Sequence, residues 1–315
     1  MSRRNATLTS VGAAGAPLAE ALRQRVSEGT VVRANEPLAA RTTLRVGGPA
    51  DVYVEPAGEQ DLAAVLQFCA ERKLPVFVLG RGSNLLVKDG GFRGVVLSLA
   101  QPHFSRIEAV GCQLRCGAGA RLKTVAAEAK RHGLTGLEFL EGIPGTVGGA
   151  LRMNAGAMGG AIFDRVESVR LMDFSGQVFE RPAAELDAKY RGCAALKSSI
   201  ALAAVLRGQP GDRVRIERQM SEFSRRRWQS QPASPSAGCT FKNPPAIPAG
   251  KLIEELGLKG ARVGGAVVSL EHGNFIVNDG TATARDVLEL IELVRQRART
   301  ERGIELETEV EIIGE

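Results

Sequence analysis

Pro75-Val76-Phe77-Val78-Leu79-Gly80-Arg81-Gly82-Ser83-Asn84 reads as a short apolar strand running straight into a loop, whose glycines and hydroxyl can turn backbone N–H groups toward an anion. Upstream, Val46 to Val54 is strand-like, and Gln60 to Arg72 carries Leu62, Val65, Leu66 and Cys69 at helical spacing. Together they make a β-α-β unit with a buried second strand. The loop does not fit G-x-G-x-x-G, no long helix follows it, and no lysine completes a P-loop, so both common nucleotide motifs fail. Beyond it, Leu85-Leu86-Val87 and Val95-Val96-Leu97 are two strands joined by Asp89-Gly90-Gly91.

A second unit begins near Leu99, with strands around Phe104–Val110 and Gln113–Cys116 and a helix from Leu122 to His132. It leads into Glu141-Gly142-Ile143-Pro144-Gly145-Thr146-Val147-Gly148-Gly149-Ala150, followed closely by Asn154-Ala155-Gly156-Ala157-Met158-Gly159-Gly160. Six glycines in the sixteen residues from Gly145 to Gly160 suit backbone lying against a large flat ligand, since any Cβ would hold the chain away. A pair of surface turns is the plainer alternative. Strands follow at Val166–Met172 and Val178–Glu180, then Tyr190-Arg191-Gly192-Cys193, an amphipathic charged stretch from Gln209 to Gln229, and helices at Lys251–Leu256 and Thr283–Gly303. Strand patterns at Ala266–Leu270, Phe275–Val277 and the C-terminal Leu306–Ile313 complete the chain.

Ser236-Ala-Gly-Cys-Thr-Phe-Lys-Asn-Pro244 places Cys239 on a tight glycine-containing bend, with Lys242 and Asn243 close behind. A lone cysteine is commonly a small buried hydrophobe, but the flanking prolines and polar residues do not suit a core strand. Composition sets outer bounds. A chain of 315 residues exceeds the size at which one core stops growing, and 44% hydrophobic with 24% charged residues excludes disordered and fibrous classes. The net charge of +6 comes from scattered arginines rather than a stripe with stacking aromatics, so an anionic small molecule accounts for it and nucleic acid is not required. The densest cluster, Arg225-Arg226-Arg227-Trp228, could meet phosphates or form a solvated helix face. Five cysteines with no metal or redox spacing fit a reducing compartment. No window approaches the about 18 apolar residues a span needs, and Ser2-Arg3-Arg4 has no apolar stretch behind it. Residues 1 to about 20 read as a flexible tail.

In this order, Arg41-Thr42-Thr43-Leu44-Arg45-Val46-Gly47-Gly48, the Gly80 loop, Ile143–Gly149, Asn154-Ala155-Gly156-Ala157, Tyr190-Arg191, the Cys239 segment, His272-Gly273-Asn274-Phe275 and Glu309 resemble the UDP-N-acetylenolpyruvoylglucosamine reductases over nearly the whole chain. The short interval from Arg191 to Cys239 is similar to the family's shorter type, which lacks a tyrosine-bearing insertion. The resemblance implies an α+β protein with a vanillyl-alcohol-oxidase-type FAD-binding fold of two subdomains, 21–98 completed by 304–315 and 99–210, and a substrate-binding domain at 211–303. It implies FAD held by Gly80, Arg81, Gly82, Ser83, Asn84, Ile143, Pro144, Gly145, Thr146, Gly148 and Gly149, with Asn154, Ala155 and Gly156 approaching the flavin.

NADPH would be the co-substrate, delivering hydride through flavin to the enolpyruvyl group of a UDP-sugar. Arg191 and Glu309 would steady the resulting enediolate-like charge, and Cys239 would protonate the ether-bearing carbon. Most relatives carry serine where this chain has Cys239. Met158 replaces a usual tyrosine, and Cys193 replaces a common serine and reads as structural. Tyr190, Arg225, Arg227, Lys242, Asn243, His272 and Asn274 are the candidate substrate contacts. A cytoplasmic monomer is expected, with a nucleotide sugar as its ligand and neither nucleic acid nor membrane as partner. Two alternatives stay open from the residues alone, an FAD oxidase of a hydroxy acid or sugar and a nucleotide-sugar-binding regulator; the oxidase reading finds no histidine or cysteine tether at 80–84 or 143–149.

Overall fold

The computed structural model describes residues 15–315. The chain opens with helix α1 (Gly15–Arg23), whose Ala19 and Leu22 are fully buried. Part of the expected tail is therefore packed helix, and the rest of that expectation lies outside the described residues. Strand β1 (Val31–Pro37) pairs antiparallel with β2 (Pro49–Glu55), and helix α2 (Glu59–Glu71) leads to β3 (Val76–Val78), β4 (Leu85–Val87) and β5 (Phe92–Leu97). The sheet order is β1-β2-β5-β3, with the last three strands parallel. Buried on both faces, β2 carries a continuous apolar run from Ala50 to Val54 broken only by Asp51. Asp51 is satisfied, since it accepts a hydrogen bond from Gly94 N at 2.9 Å and pairs with Arg93 at 3.2 Å.

One sequence expectation changes here. Strand β3 is half-buried rather than buried, because it is the edge strand of its sheet and Val76, Phe77 and Val78 all line a cavity. Strands β4 and β5 do not pair with each other; the turn at Asp89 sends them into different sheets.

The second unit is an antiparallel sheet of β6 (Ile107–Val110), β7 (Gln113–Gly117), β8 (Val166–Asp173), β9 (Val178–Pro182) and β10 (Ser199–Arg207), in the order β9-β8-β10-β7-β6. Helices α3 (Leu122–Arg131) and α4 (Val147–Met153) lie against it. Residues Pro102–Ser105 form a helical turn rather than the start of a strand. Helix α5 (Arg213–Ser230) buries Ile216 and Met220 in the same core as α3 and the second sheet. The boundary expected at 211 lies just before this helix, which packs with the second unit.

The third unit holds β11 (Ser236–Cys239), α6 (Ala249–Glu255), β12 (Arg262–Val263), β13 (Ala266–Val268), β14 (Phe275–Asn278) and α7 (Ala284–Arg302), with sheet order β11-β14-β13-β12. Helix α7 is delimited by chemistry. Thr283 and Asp286 form a reciprocal capping box at 3.1 and 2.9 Å, and Gly303 ends the helix at φ 65°. Its stripe of Val287, Leu290, Ile291, Val294 and Ala298 is buried, and its first N–H groups are reached by the Asp89 carboxylate of the first unit, at 2.9 Å to both Ala284 N and Arg285 N. Strand β15 (Glu311–Ile313) then returns to pair parallel with β4, so the C-terminus closes onto the first unit. Leu44, Val46 and Leu86 share the third unit's core, which makes the first and third units mechanically continuous.

Candidate functional site

A connected cleft with three lobes, of about 550, 250 and 730 Å³, runs where the units meet, and Gly80 and Arg81 line all three. The lobe of about 550 Å³, whose wall is mostly apolar, lies between the first and second units, against β3, Ala118–Arg121 and Ile200. The Gly80–Asn84 loop faces Ile143–Thr146 across the middle lobe, and Ser83 Oγ donates to Pro144 O at 3.1 Å, joining the two loops. Gly82 takes φ 59°, and a Cβ there would lie 2.7 Å from Arg41 O and from Thr42 Cα. Only glycine fits that bend.

Among the described residues, the backbone N–H groups of Arg81, Gly82, Ser83 and Gly145 have no hydrogen-bond partner within the chain. Unused donors converging on a cleft are what an anion such as a pyrophosphate requires, so these loops fit the cofactor the sequence implied. Gly148 faces the apolar lobe, Gly149 lines both that lobe and the middle one, and Ala155 and Gly156 line the middle one. Asn154 is different. At φ 40° it ends α4, and its side chain donates to Lys189 O at 3.2 Å and accepts from Phe163 N at 3.4 Å, so it braces the neighbouring hairpin rather than lining the cleft.

That hairpin pairs Ala188 with Cys193 and Lys189 with Gly192, leaving Tyr190 and Arg191 at its tip. Arg191 has φ 59°, a conformation costing a non-glycine residue roughly 1–2 kcal/mol, held because its guanidinium is anchored. Its Nε lies 2.6 Å from Glu309 Oε1, with the side chains 23% and 13% exposed. The separation is that of a hydrogen bond, but the N–H is not aimed along it, and Arg191 Nε is a buried donor without an in-line acceptor. The contact is an ion pair with donor capacity left over. Buried Cys193 donates Sγ–H to Leu186 O at 3.3 Å and stiffens the hairpin from behind. Tyr190 is 63% exposed beneath the Arg191 guanidinium, 4.8 Å from the ring centroid, outside the cleft walls.

Cys239 and Glu309 are brought together by backbone. Glu309 N donates to Thr240 O at 2.8 Å, Lys242 N donates to Glu307 O at 2.9 Å, and Phe241 bridges Thr308 antiparallel. Asn84 Nδ2 donates to Glu309 O at 3.1 Å, linking the glycine loop to the same strand. Cys239, Arg191, Glu309 and Phe275 thus line the middle lobe together with the glycine loops. Burial, then the Glu309 carboxylate, push the Cys239 thiol up to about 11, with Arg191 opposing. Burial likewise raises the Glu309 carboxyl above its ordinary value against the pull of Arg191 and Lys242. Both groups are biased toward holding a proton.

The remaining candidates separate. Arg227 lines the third lobe with Trp228 and Gln231, has no carboxylate within ion-pair distance among the described residues, and is depressed by burial, with Glu141 opposing. Arg225 is exposed on α5 and lines none of the lobes. Lys242 pairs with Glu307 at 2.9 Å, and Asn243 Oδ1 accepts from Ala249 N at 3.0 Å, starting α6. His272 Nδ1 accepts from Asn274 N at 3.1 Å, and the Asn274 amide is buried against Phe241. Asn243, His272 and Asn274 do not line the cleft; each has a side-chain atom bound to backbone.

Sequence reasoning attached no role to Thr43, whose hydroxyl donates to Ser236 O at 2.6 Å and ties the phosphate-side loop to β11. Nor did it single out Ala118-Gly119-Ala120, a wall of the apolar lobe signalled only by small residues.

A sequence profile of the UDP-N-acetylenolpyruvoylglucosamine reductase C-terminal domain matches residues 231–313, and an FAD binding domain profile matches residues 50–181. The chain is 45% identical to UDP-N-acetylenolpyruvoylglucosamine reductase 2 of Symbiobacterium thermophilum over 95% of this chain and 97% of that one. It is 44% identical to the Clostridium novyi reductase over 87% and 89%. The chain belongs to this reductase family. The crystal structure of the Thermus caldophilus reductase superposes with a TM-score of 0.79 at 40% identity, covering 90% of this chain and all of that one. This reductase is therefore an FAD-dependent oxidoreductase with the expected α+β architecture, and the oxidase and regulator alternatives are set aside. The C-terminal profile starts at 231, directly after α5. Among the described residues, no helix is long and apolar enough to cross a membrane.

Proposed function

We propose that this reductase uses NADPH to convert the enolpyruvyl ether of UDP-N-acetylglucosamine enolpyruvate to the lactyl ether of UDP-N-acetylmuramate. The observation that carries the proposal is the convergence of Arg191, Cys239 and Glu309 on one lobe whose opposite walls are the two glycine loops. FAD, when bound, would supply the hydride-transfer chemistry between NADPH and the substrate alkene. The chain's own residues do the rest. Arg81, Gly82, Ser83 and Gly145 offer N–H donors to the pyrophosphate, with Asn84, Ile143, Pro144, Thr146, Gly148 and Gly149 shaping the cradle.

Negative charge developing on the substrate carboxylate meets Arg191, whose Nε–H has no in-line acceptor, and Glu309, whose raised pKa suits it to share a proton. Cys239 donates its proton to the ether-bearing carbon. Held at about 11, the thiol is protonated at neutral pH, and Phe275 beside it helps exclude water. Arg227, a half-buried cation with no carboxylate partner among the described residues, takes the substrate diphosphate in the third lobe. We place the enzyme in the cytoplasm as a monomer; its five free cysteines suit a reducing compartment. The test is anaerobic stopped-flow absorbance. NADPH should bleach the flavin, and the enolpyruvyl substrate, rather than air, should restore its colour with stoichiometric product.

A further inference from the structure

Strand β11 breaks register with β14 between Ser236 and Cys239, where Gly238 takes φ 78° and swings the thiol toward the cleft. A bulge of this kind re-aims one side chain, but it also ends the ladder that would hold the following residues. Thr240 and Phe241 therefore need other partners. On one side they have the strand carrying Glu309. On the other they have one residue, Asn274. Thr240 N donates to Asn274 O at 2.8 Å, Phe241 N donates to Asn274 Oδ1 at 2.9 Å, and Asn274 Nδ2 donates to Phe241 O at 2.8 Å. The amide reproduces with one side chain the donor and acceptor pair that a neighbouring strand would present. Asn274 is 3% exposed, and its own N–H is bound by His272 Nδ1 at 3.1 Å, so the clamp itself is fixed.

We propose that Asn274 is a positioning residue for proton delivery, setting the distance and direction of the Cys239 thiol through Phe241 and Thr240. The inference rests on Cys239 being the acid. Asp in place of Asn274 has the same shape but presents a second acceptor to Phe241 O, so the clamp opens without a cavity. A displacement of about 1 Å at a reacting group costs on the order of 100-fold.

The experiment uses FAD-loaded enzyme bearing N274D, C239A or both. Three readouts apply: product formed in a single turnover from pre-reduced enzyme, the rate of flavin bleaching by NADPH, and the rate of iodoacetamide labelling of Cys239 resolved by peptide mass. N274D should slow product formation about 10- to 100-fold, leave bleaching within about twofold, and change labelling at Cys239 while leaving Cys112 unchanged. In the C239A background, N274D should cost nothing further. N274A, which leaves both Phe241 groups unpaired, should show the same split if it folds, alongside a lower melting temperature.

The positioning claim is overturned if N274D forms product at the wild-type rate while C239A does not. It is also overturned if bleaching and product formation fall together, or if N274D lowers the C239A rate as much as it lowers the wild-type rate. Should C239A alone form product at the wild-type rate, the acid assignment itself fails, and the positioning role falls with it.

Discussion

Raising the pH to 9.5 separates a buried thiol acid from an ordinary one. The Cys239 thiol stands at about 11, up from 9.0, which at about 1.4 kcal/mol per pH unit makes its ionisation about 3 kcal/mol harder. Protein donation requires the protonated form, so activity is lost as pH rises through the folded pKa. At pH 9.5 a group at about 11 is about 97% protonated, whereas one left at 9.0 is about 24% protonated. Single-turnover product formation from pre-reduced enzyme should therefore hold nearly its full rate at pH 9.5. Glu309→Gln removes the carboxylate that helps raise the thiol, so the alkaline fall should move to lower pH in that variant, whatever happens to its maximum rate. A wild-type enzyme that loses three quarters of its product-forming rate by pH 9.5, with bleaching by NADPH unchanged, would refute the environment deduced for Cys239.

Arg191→Met should cut product formation by about 10²- to 10³-fold, because it removes the cation facing the developing carboxylate charge, while bleaching stays within about twofold. Stopped-flow comparison of the two half-reactions checks it. Gly82→Ala forces a Cβ to 2.7 Å from Arg41 O at φ 59°; the purified protein should lose its yellow colour on gel filtration that leaves wild type coloured. Stability should decline above pH 9. Burial raises Cys69 and Cys116 to about 12, so the unfolded chain ionises these thiols first and binds fewer protons than the folded one, costing about 1 kcal/mol per thiol between pH 9 and 10. Urea midpoints of the holoenzyme at the two pH values measure this, and Cys69→Ala should remove its share of the slope.

Much of the architecture was legible because its signals are local. Helices α2, α3 and α7 carry clean apolar periodicity, and the Gly80 and Ile143 loops declare themselves through glycine. Strand β10 was not legible. Ser-Ile-Ala-Leu-Ala-Ala-Val-Leu-Arg is mostly alanine and leucine, poor in the β-branched and aromatic residues that mark strands, and only pairing with β7 and β8 on either side makes it one. Helix α1 was hidden by its Gly-Ala-Pro start, and its burial depends on packing against β1 and β2.

The site divides in the same way. Arg191, Cys239 and Glu309 stood out by motif, but nothing in the spacing said that a backbone bridge between Phe241 and Thr308 would join the last two. Asn243, His272 and Asn274 have polar atoms suited to a ligand, and sequence cannot reveal that a neighbouring backbone claims them first. The packing of helix α5 was not legible, because its charged surface hides how few residues, Ile216 and Met220, are buried.

The central claim is that a thiol on a bulged strand delivers the last proton. It is tested most directly by following Cys239→Ala through both half-reactions in one experiment, flavin bleaching by NADPH and then product released after substrate is added. The account predicts bleaching at the wild-type rate with product formation slowed at least about 100-fold. Product at the wild-type rate from the alanine variant would contradict it.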